Sequence, residues 1–290
     1  MRARLLARLT AAAVTAAAVT LVPGAAGHAA EGVVDYSLVV DGETATGHAV
    51  LPEGSPTVLV VLCHGYGGSA FGMDKYLTDA ARRGWAGVAM NYRGWQSAWK
   101  VWTGWQDTVA ATLDLKARYP SITTTIIYGI SMGGEVSGLS VAYAPPGTYQ
   151  YWVEDAGVEN LTEEWTAYPD FHYAIETETG GTPAEVPQAY ADRSPVSQAE
   201  RIAAHGLRRA FLNHAAGDSV VTPSQAQEMT AALADAGVPV SAYTFGGAGH
   251  VAGWGYQEVV EKALGRPDWP DAVVQGVIGP NGFTPAISPS

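Results

Sequence analysis

The chain has 290 residues, a formal net charge of −12 and 47% apolar residues. That balance describes a globular chain with enough apolar matter for one large core, and it argues against disorder. So strong an acidic excess excludes nucleic acid as a partner and disfavours anionic lipid.

The first segment stands apart. Arg2, Arg4 and Arg8 precede an Ala/Val/Leu/Thr run that ends in small residues around Gly27-His28-Ala29-Ala30. This is the pattern of a secretory signal peptide over residues 1–29, cleaved after Ala29, and its apolar run is short for a spanning helix. The expected location is therefore secreted and extracellular, with no stable membrane insertion after cleavage. The leader takes three arginines from 16 basic residues and none of the 28 acids, so the exported chain is more acidic still. Cys63 is the single cysteine. It ends an apolar run and reads as an inert packed thiol, leaving no pair for an internal disulfide.

From residue 30 to 290 one domain is expected. Short β-rich segments alternate with helical ones, the pattern of a mostly parallel central sheet with helices on both faces. Residues 33–40 and 44–52 read as a hairpin turned at Asp41-Gly42, and 57–63 as a buried central strand. Helices are expected over 75–83, 105–119, 135–144 and 224–236, and strands over 86–91, 123–128, 149–153, 210–213 and 240–245. Between about 160 and 194, aromatics, acids and prolines mix without a period, which suggests a small lid-like insertion. A last helix near 256–264 precedes a Pro/Gly-rich, loosely ordered tail over 266–290.

The chemistry concentrates at Gly129-Ile130-Ser131-Met132-Gly133, which matches the G-x-S-x-G elbow and stands between an apolar strand and a helical segment. A turn this sharp lifts the seryl oxygen above the sheet, and glycines two positions to either side admit the neighbouring chain. Serine is a weak nucleophile by itself, so it needs a base and a carboxylate that orients the base. In the order serine, acid, histidine, His250 follows the last strand and is the expected base. Asp218 follows the preceding strand and is the expected acid, with Asp155 as the alternative. Both positions lie at carboxyl ends of strands, where open α/β sheets place their sites. His214, close by in sequence, precedes the acid and is expected to pack or hydrogen-bond in its loop. The oxyanion hole is expected from the backbone N–H groups of Met132 and Tyr66, the latter in His64-Gly65-Tyr66-Gly67-Gly68.

These residues, with Asn91-Tyr92-Arg93-Gly94, Arg193-Ser194-Pro195-Val196 and the run from Asp218 to Pro223, resemble the α/β-hydrolase superfamily. More narrowly, residues 33–265 are similar to the catalytic domain of the prolyl oligopeptidase and dienelactone hydrolase branches. Dienelactone hydrolases usually carry a cysteine where Ser131 stands here. The resemblance implies an α/β-hydrolase fold and a serine hydrolase acting on a carboxylic ester or amide, with prolyl oligopeptidase-like peptide cleavage as an alternative. A non-catalytic extracellular binding protein on the same fold is the reading from another class.

Trp95, Trp99, Trp102 and Trp105 recur at helical spacing, so a helix would align them on one face. They offer either an aromatic substrate wall, with Trp95 as the substrate-binding candidate, or ordinary packing. No metal or cofactor motif is present in the sequence, so cofactor-free chemistry on a small ester, amide or short peptide is expected. Oligomeric state has no signature.

Overall fold

The computed structural model describes residues 32–94, 99–250, 255–257, 259–260, 275–279 and 282–286. The leader over 1–29, Trp95 and much of the expected last helix lie outside the described residues.

The chain opens with two antiparallel strands, β1 (Val33–Val40) and β2 (Glu43–Val50). Asp41 and Gly42 both take positive φ, 51° and 85°, the conformation of a two-residue turn whose twist matches that of the paired strands. Strands β3 (Val58–Cys63), β4 (Ala86–Met90), β5 (Thr124–Ile130), β6 (Tyr151–Asp155), β7 (Arg209–Gly217) and β8 (Val240–Ala248) complete an eight-stranded sheet of order β1-β2-β4-β3-β5-β6-β7-β8. Pairing is antiparallel through β1, β2 and β4 and parallel from β4 onward. The fold is thus the expected α/β-hydrolase arrangement.

Strand β3 shows why its run is apolar on every residue. Leu59, Val61 and Cys63 enter one core with Val109, Leu115, Val136, Leu139, Met229 and Leu233, whereas Val60 and Leu62 enter the other with Tyr76, Leu77, Tyr256 and Val260. A strand whose neighbours alternate between two covered faces cannot show the hydrophobic-polar alternation of a half-exposed one. Helices α1 (Asp74–Arg82), α2 (Val101–Arg118) and α3 (Met132–Tyr143) occupy the crossovers early in the chain. Asp74 in the first turn of α1 and Arg82 in its last oppose the helix dipole's end charges.

Where the sequence shows no period, between β6 and β7, the structure has three short helices: α4 (Leu161–Ala167), α5 (His172–Thr179) and α6 (Pro187–Arg193). Each spans about two turns, too few for a repeating apolar stripe. Local signals define their ends instead. The Asn160 side chain accepts from the Glu163 N–H at the start of α4, and Gly180 closes α5 at φ 89°. Helix α7 (Ala199–Ala204) leads into β7, and α8 (Pro223–Asp235) joins β7 to β8. In the C-terminal segment expected as a loose tail, β9 (Gln275–Gly279) and β10 (Gly282–Ala286) pair antiparallel.

Candidate active site

Ser131 stands between the end of β5 and the first residue of α3 with φ 57° and ψ −128°. That is a strained backbone for a residue with a Cβ, costing on the order of 1–3 kcal/mol, and neighbouring groups hold it in place. Its N–H donates to the Asp155 carbonyl at 3.0 Å, and its carbonyl accepts from the Gly134 N–H at 2.7 Å and the Val158 N–H at 3.2 Å. The flanking glycines are required by close approach. A Cβ on Gly129 would lie 2.2 Å from the Gly133 carbonyl oxygen, and one on Gly133 would lie 2.2 Å from the Cys63 carbonyl oxygen. Helix α3 therefore begins directly at Met132, three residues earlier than its glycine-rich start suggests, because the tight turn outweighs the poor helix propensity of Gly133 and Gly134.

Asp218 and His250 come together through the β7–β8 pairing. A bulge between Ala215 and Gly217 brings Gly217 opposite Ala248, and the Gly249 N–H donates to the Gly217 carbonyl at 3.2 Å. His250 Nδ1 then donates to Asp218 Oδ2 at 2.8 Å. The other carboxylate oxygen accepts from the Val220 and Val221 N–H groups at 2.9 and 3.1 Å. Burial works against the Asp218 charge, but hydrogen bonds from His214, His250 and Val220 outweigh it and hold the carboxyl well below its usual range. His250 Nε2 is buried and makes no hydrogen bond among the described residues. The Ser131–His250 hydrogen bond of an assembled triad is thus not closed, as is common before substrate is bound.

Asp155, the alternative acid, ends β6. Asp155 accepts from the Tyr128 hydroxyl at 2.6 Å and from the Gly255 N–H at 2.8 and 3.0 Å. It ties the elbow to the chain beyond His250. His214, expected in a loop, is instead buried within β7, with Nε2 2.9 Å from the Val221 carbonyl oxygen and 3.4 Å from Asp218 Oδ2. Cys63 is fully buried, and that burial pushes its thiol up to about 12, so no reactive thiolate is available at neutral pH.

The loop after β3 packs directly against the elbow. A Cβ on Gly65 would sit 3.2 Å from the Ser131 Cβ. The Gly68 N–H donates to the Gly65 carbonyl at 3.0 Å, and Gly67 turns at φ 70°. His64 stacks on Tyr92 at 4.1 Å and is lowered by burial to about 4, so it is neutral and fixes the loop without competing as a base. Tyr66 lies in this turn. Met132, at the N-terminus of α3, supplies one of the helix's N–H groups without an intrahelical acceptor.

Of the tryptophans, Trp95 lies outside the described residues, and the others do not share one face. Trp99 precedes α2, is fully buried, and donates from Nε1 to Glu135 Oε2 at 2.7 Å. It meets Tyr66 at 5.4 Å and Phe171 at 5.0 Å between ring centroids, and Tyr66 meets Phe171 at 5.2 Å. Trp102 and Trp105 lie on α2 and pack with Tyr143 instead. The Tyr66–Trp99–Phe171 cluster thus joins the loop after β3 to the helical insertion. Sequence reading missed Phe171, because Tyr66 and Trp99 are distant from it in the chain.

The model of the prolyl oligopeptidase family matches residues 69–274, which include Ser131, Asp218 and His250. Among solved structures, the chain is similar to the acylaminoacyl peptidase of Pyrococcus horikoshii, with 19% identity and a TM-score of 0.62 over 74% of this chain and 37% of that one. It is also similar to a Mycobacterium tuberculosis puromycin-hydrolyzing peptidase (22% identity, TM-score 0.60, 75% and 36% covered). A third similar structure is the Porphyromonas gingivalis dipeptidyl peptidase 4 (17% identity, TM-score 0.62, 79% and 34% covered). At such identities the likeness is one of fold, and the match extends over little more than a third of those chains. No curated protein matches the sequence.

Proposed function

We propose that the chain, which belongs to the prolyl oligopeptidase family, is a serine peptidase that cleaves short peptides or peptide-like amides through an acyl-enzyme on Ser131. The observation that carries this reading is the Asp218–His250 hydrogen bond of 2.8 Å lying in the same family-matched segment as the strained Ser131. Family membership favours the peptidase over a dedicated esterase, although the same serine would also attack the easier ester carbonyl.

In the proposed course, Ser131 Oγ attacks the carbonyl carbon while its proton passes to His250 Nε2. Asp218 holds Nδ1–H, selecting the tautomer and stabilising the imidazolium that forms. Backbone N–H groups of Met132 and Tyr66 stabilise the oxyanion. His250 then protonates the leaving amine as the C–N bond breaks, and water, activated by the same imidazole, hydrolyses the acyl-serine. The Tyr66–Trp99–Phe171 cluster beside this centre suits an apolar or aromatic side chain. The basic and apolar leader supports export, so action outside the cell is part of the proposal.

The test is a panel of aminoacyl and peptidyl 4-nitroanilides and the matching 4-nitrophenyl esters. Hydrolysis of both classes, lost in Ser131→Ala, is the expected result. Turnover of esters with none of any anilide would replace the peptidase reading by an esterase.

A further inference from the structure

Lys100 is a largely buried cation. It is 8% exposed, and its ammonium donates only at long range, to the Asn91 carbonyl at 3.4 Å and the Tyr92 carbonyl at 3.3 Å. Among the described residues it forms no ion pair. Asp107, the acid whose field reaches it, is already engaged by the Arg93 N–H at 2.7 Å and the Arg93 guanidinium at 2.6 Å. Burying an ammonium without a partner is unfavourable, and burial does push the Lys100 pKa down.

The same lysine borders a cleft of about 800 Å³, together with Thr46, Ser69, Asn91 and Tyr66. Although the chain has 28 acids, no aspartate or glutamate lines this cleft among the described residues. Tyr66 connects it to the reaction centre, since it follows Gly65, whose Cα faces Ser131.

We propose that this cleft is a carboxylate-binding subsite, in which Lys100 holds an acidic group of the substrate whose scissile carbonyl lies at Ser131. The inference rests on the hydrolase reading above and deepens it. An entering carboxylate supplies a counter-charge and accepts the ammonium hydrogen not directed at the two carbonyls. The preferred substrates are then acidic ones, such as peptides or esters bearing a free carboxylate near the scissile bond. Long-range repulsion from the acidic surface does not forbid this, because it is screened beyond about 10 Å at moderate salt.

The 4-nitrophenyl half-ester of adipic acid and the matching adipamate ester differ only in carboxylate against carboxamide. The wild-type protein is expected to favour the half-ester by roughly tenfold in kcat/KM, the worth of one charge-assisted hydrogen bond. Lys100→Met should bring that ratio close to one, and Lys100→Arg should keep most of it. Calorimetric binding of the same pair to Ser131→Ala repeats the comparison without turnover. Absence of hydrolysis therefore counts against the hydrolase reading, whereas only the carboxylate preference bears on the subsite. A wild-type ratio near one, failure of the half-ester to bind Ser131→Ala, or a preference that survives Lys100→Met would overturn the proposal.

Discussion

Asp218 and His250, 32 residues apart in the chain, meet at 2.8 Å because the paired ends of β7 and β8 deliver them side by side. Gly217 and Ala248 are register partners, and the two side chains leave the sheet one and two residues beyond that pair. The bulge in β7 sets this alignment, so the two side chains are positioned by strand register rather than by free loops.

From this contact follows a division between two aspartates. Asp218→Asn keeps the shape but cannot stabilise the imidazolium or fix its tautomer, so kcat should fall by about 10⁴ with little change in Tm. Asp155→Asn weakens the grip on Gly255 and Tyr128, and it should lower Tm while reducing kcat by less than about 10². Steady-state kinetics beside thermal melts read both. Equal kinetic losses in the two variants would mean that the acid has been misassigned.

The elbow glycines make a stability prediction. Gly133→Ala sets a Cβ 2.2 Å from the Cys63 carbonyl oxygen, and neither backbone can yield without moving β3 or α3. A loss of at least about 3 kcal/mol is expected from such overpacking, measured by denaturant unfolding. Tolerance of alanine there with unchanged stability would contradict the close approach.

Phe171 provides a probe of specificity. Phe171→Ala removes one wall of the aromatic cluster while Trp99 and Tyr66 stay in place. For substrates with a bulky aromatic acyl side chain, KM should rise by about tenfold, the worth of part of a buried ring. Acetyl and alanyl substrates should change little. A uniform change across the series would show that the cluster only supports the fold.

A further prediction concerns pH. Burial raises Glu154 to about 7 and Glu164 to about 8, and it raises Glu135 and Glu159 well above their ordinary values. Each carboxyl keeps its proton in the folded chain where the unfolded chain, with a value near 4.5, has released it. Their stabilisation is complete below about 4.5 and falls as pH rises, that of Glu154 being lost through about 7 and that of Glu164 through about 8. Asp218 has the opposite sign, since its depressed value contributes stability above about 3.8 that disappears only in stronger acid. Tm should therefore be highest near pH 5 and fall by about 4 °C or more by pH 8.5. General repulsion within the acidic chain acts in the same direction, so Glu164→Gln isolates the local effect by flattening the slope between 7 and 8.5. A Tm that climbs from pH 5 to 8.5 would refute the assignment.

Much of this architecture was legible in the sequence because its signals are local. The hairpin at Asp41-Gly42, the fully apolar β3 and the G-x-S-x-G elbow each carry their cause within a few residues. Ser131, Asp218 and His250 could be singled out for the same reason, as each follows a recognisable strand. What the sequence could not convey depends on distant neighbours. Helices α4 to α6 are too short to show a period, Phe171 meets Tyr66 and Trp99 across a long stretch of chain, and Asp155 is bound by Gly255, one hundred residues away. Trp99 was misread as sharing a helix face with Trp102 and Trp105, because spacing alone does not reveal that α2 begins at Val101.

The central claim is that Ser131 is activated by His250 and Asp218. Its most direct test is labelling with a fluorophosphonate at neutral pH, followed by mapping of the modified peptide by mass spectrometry. The adduct is expected on Ser131 in the wild-type protein, at a rate at least about a hundredfold lower in His250→Ala. A folded wild-type protein that stays unlabelled, or that reacts as fast without His250, would contradict it.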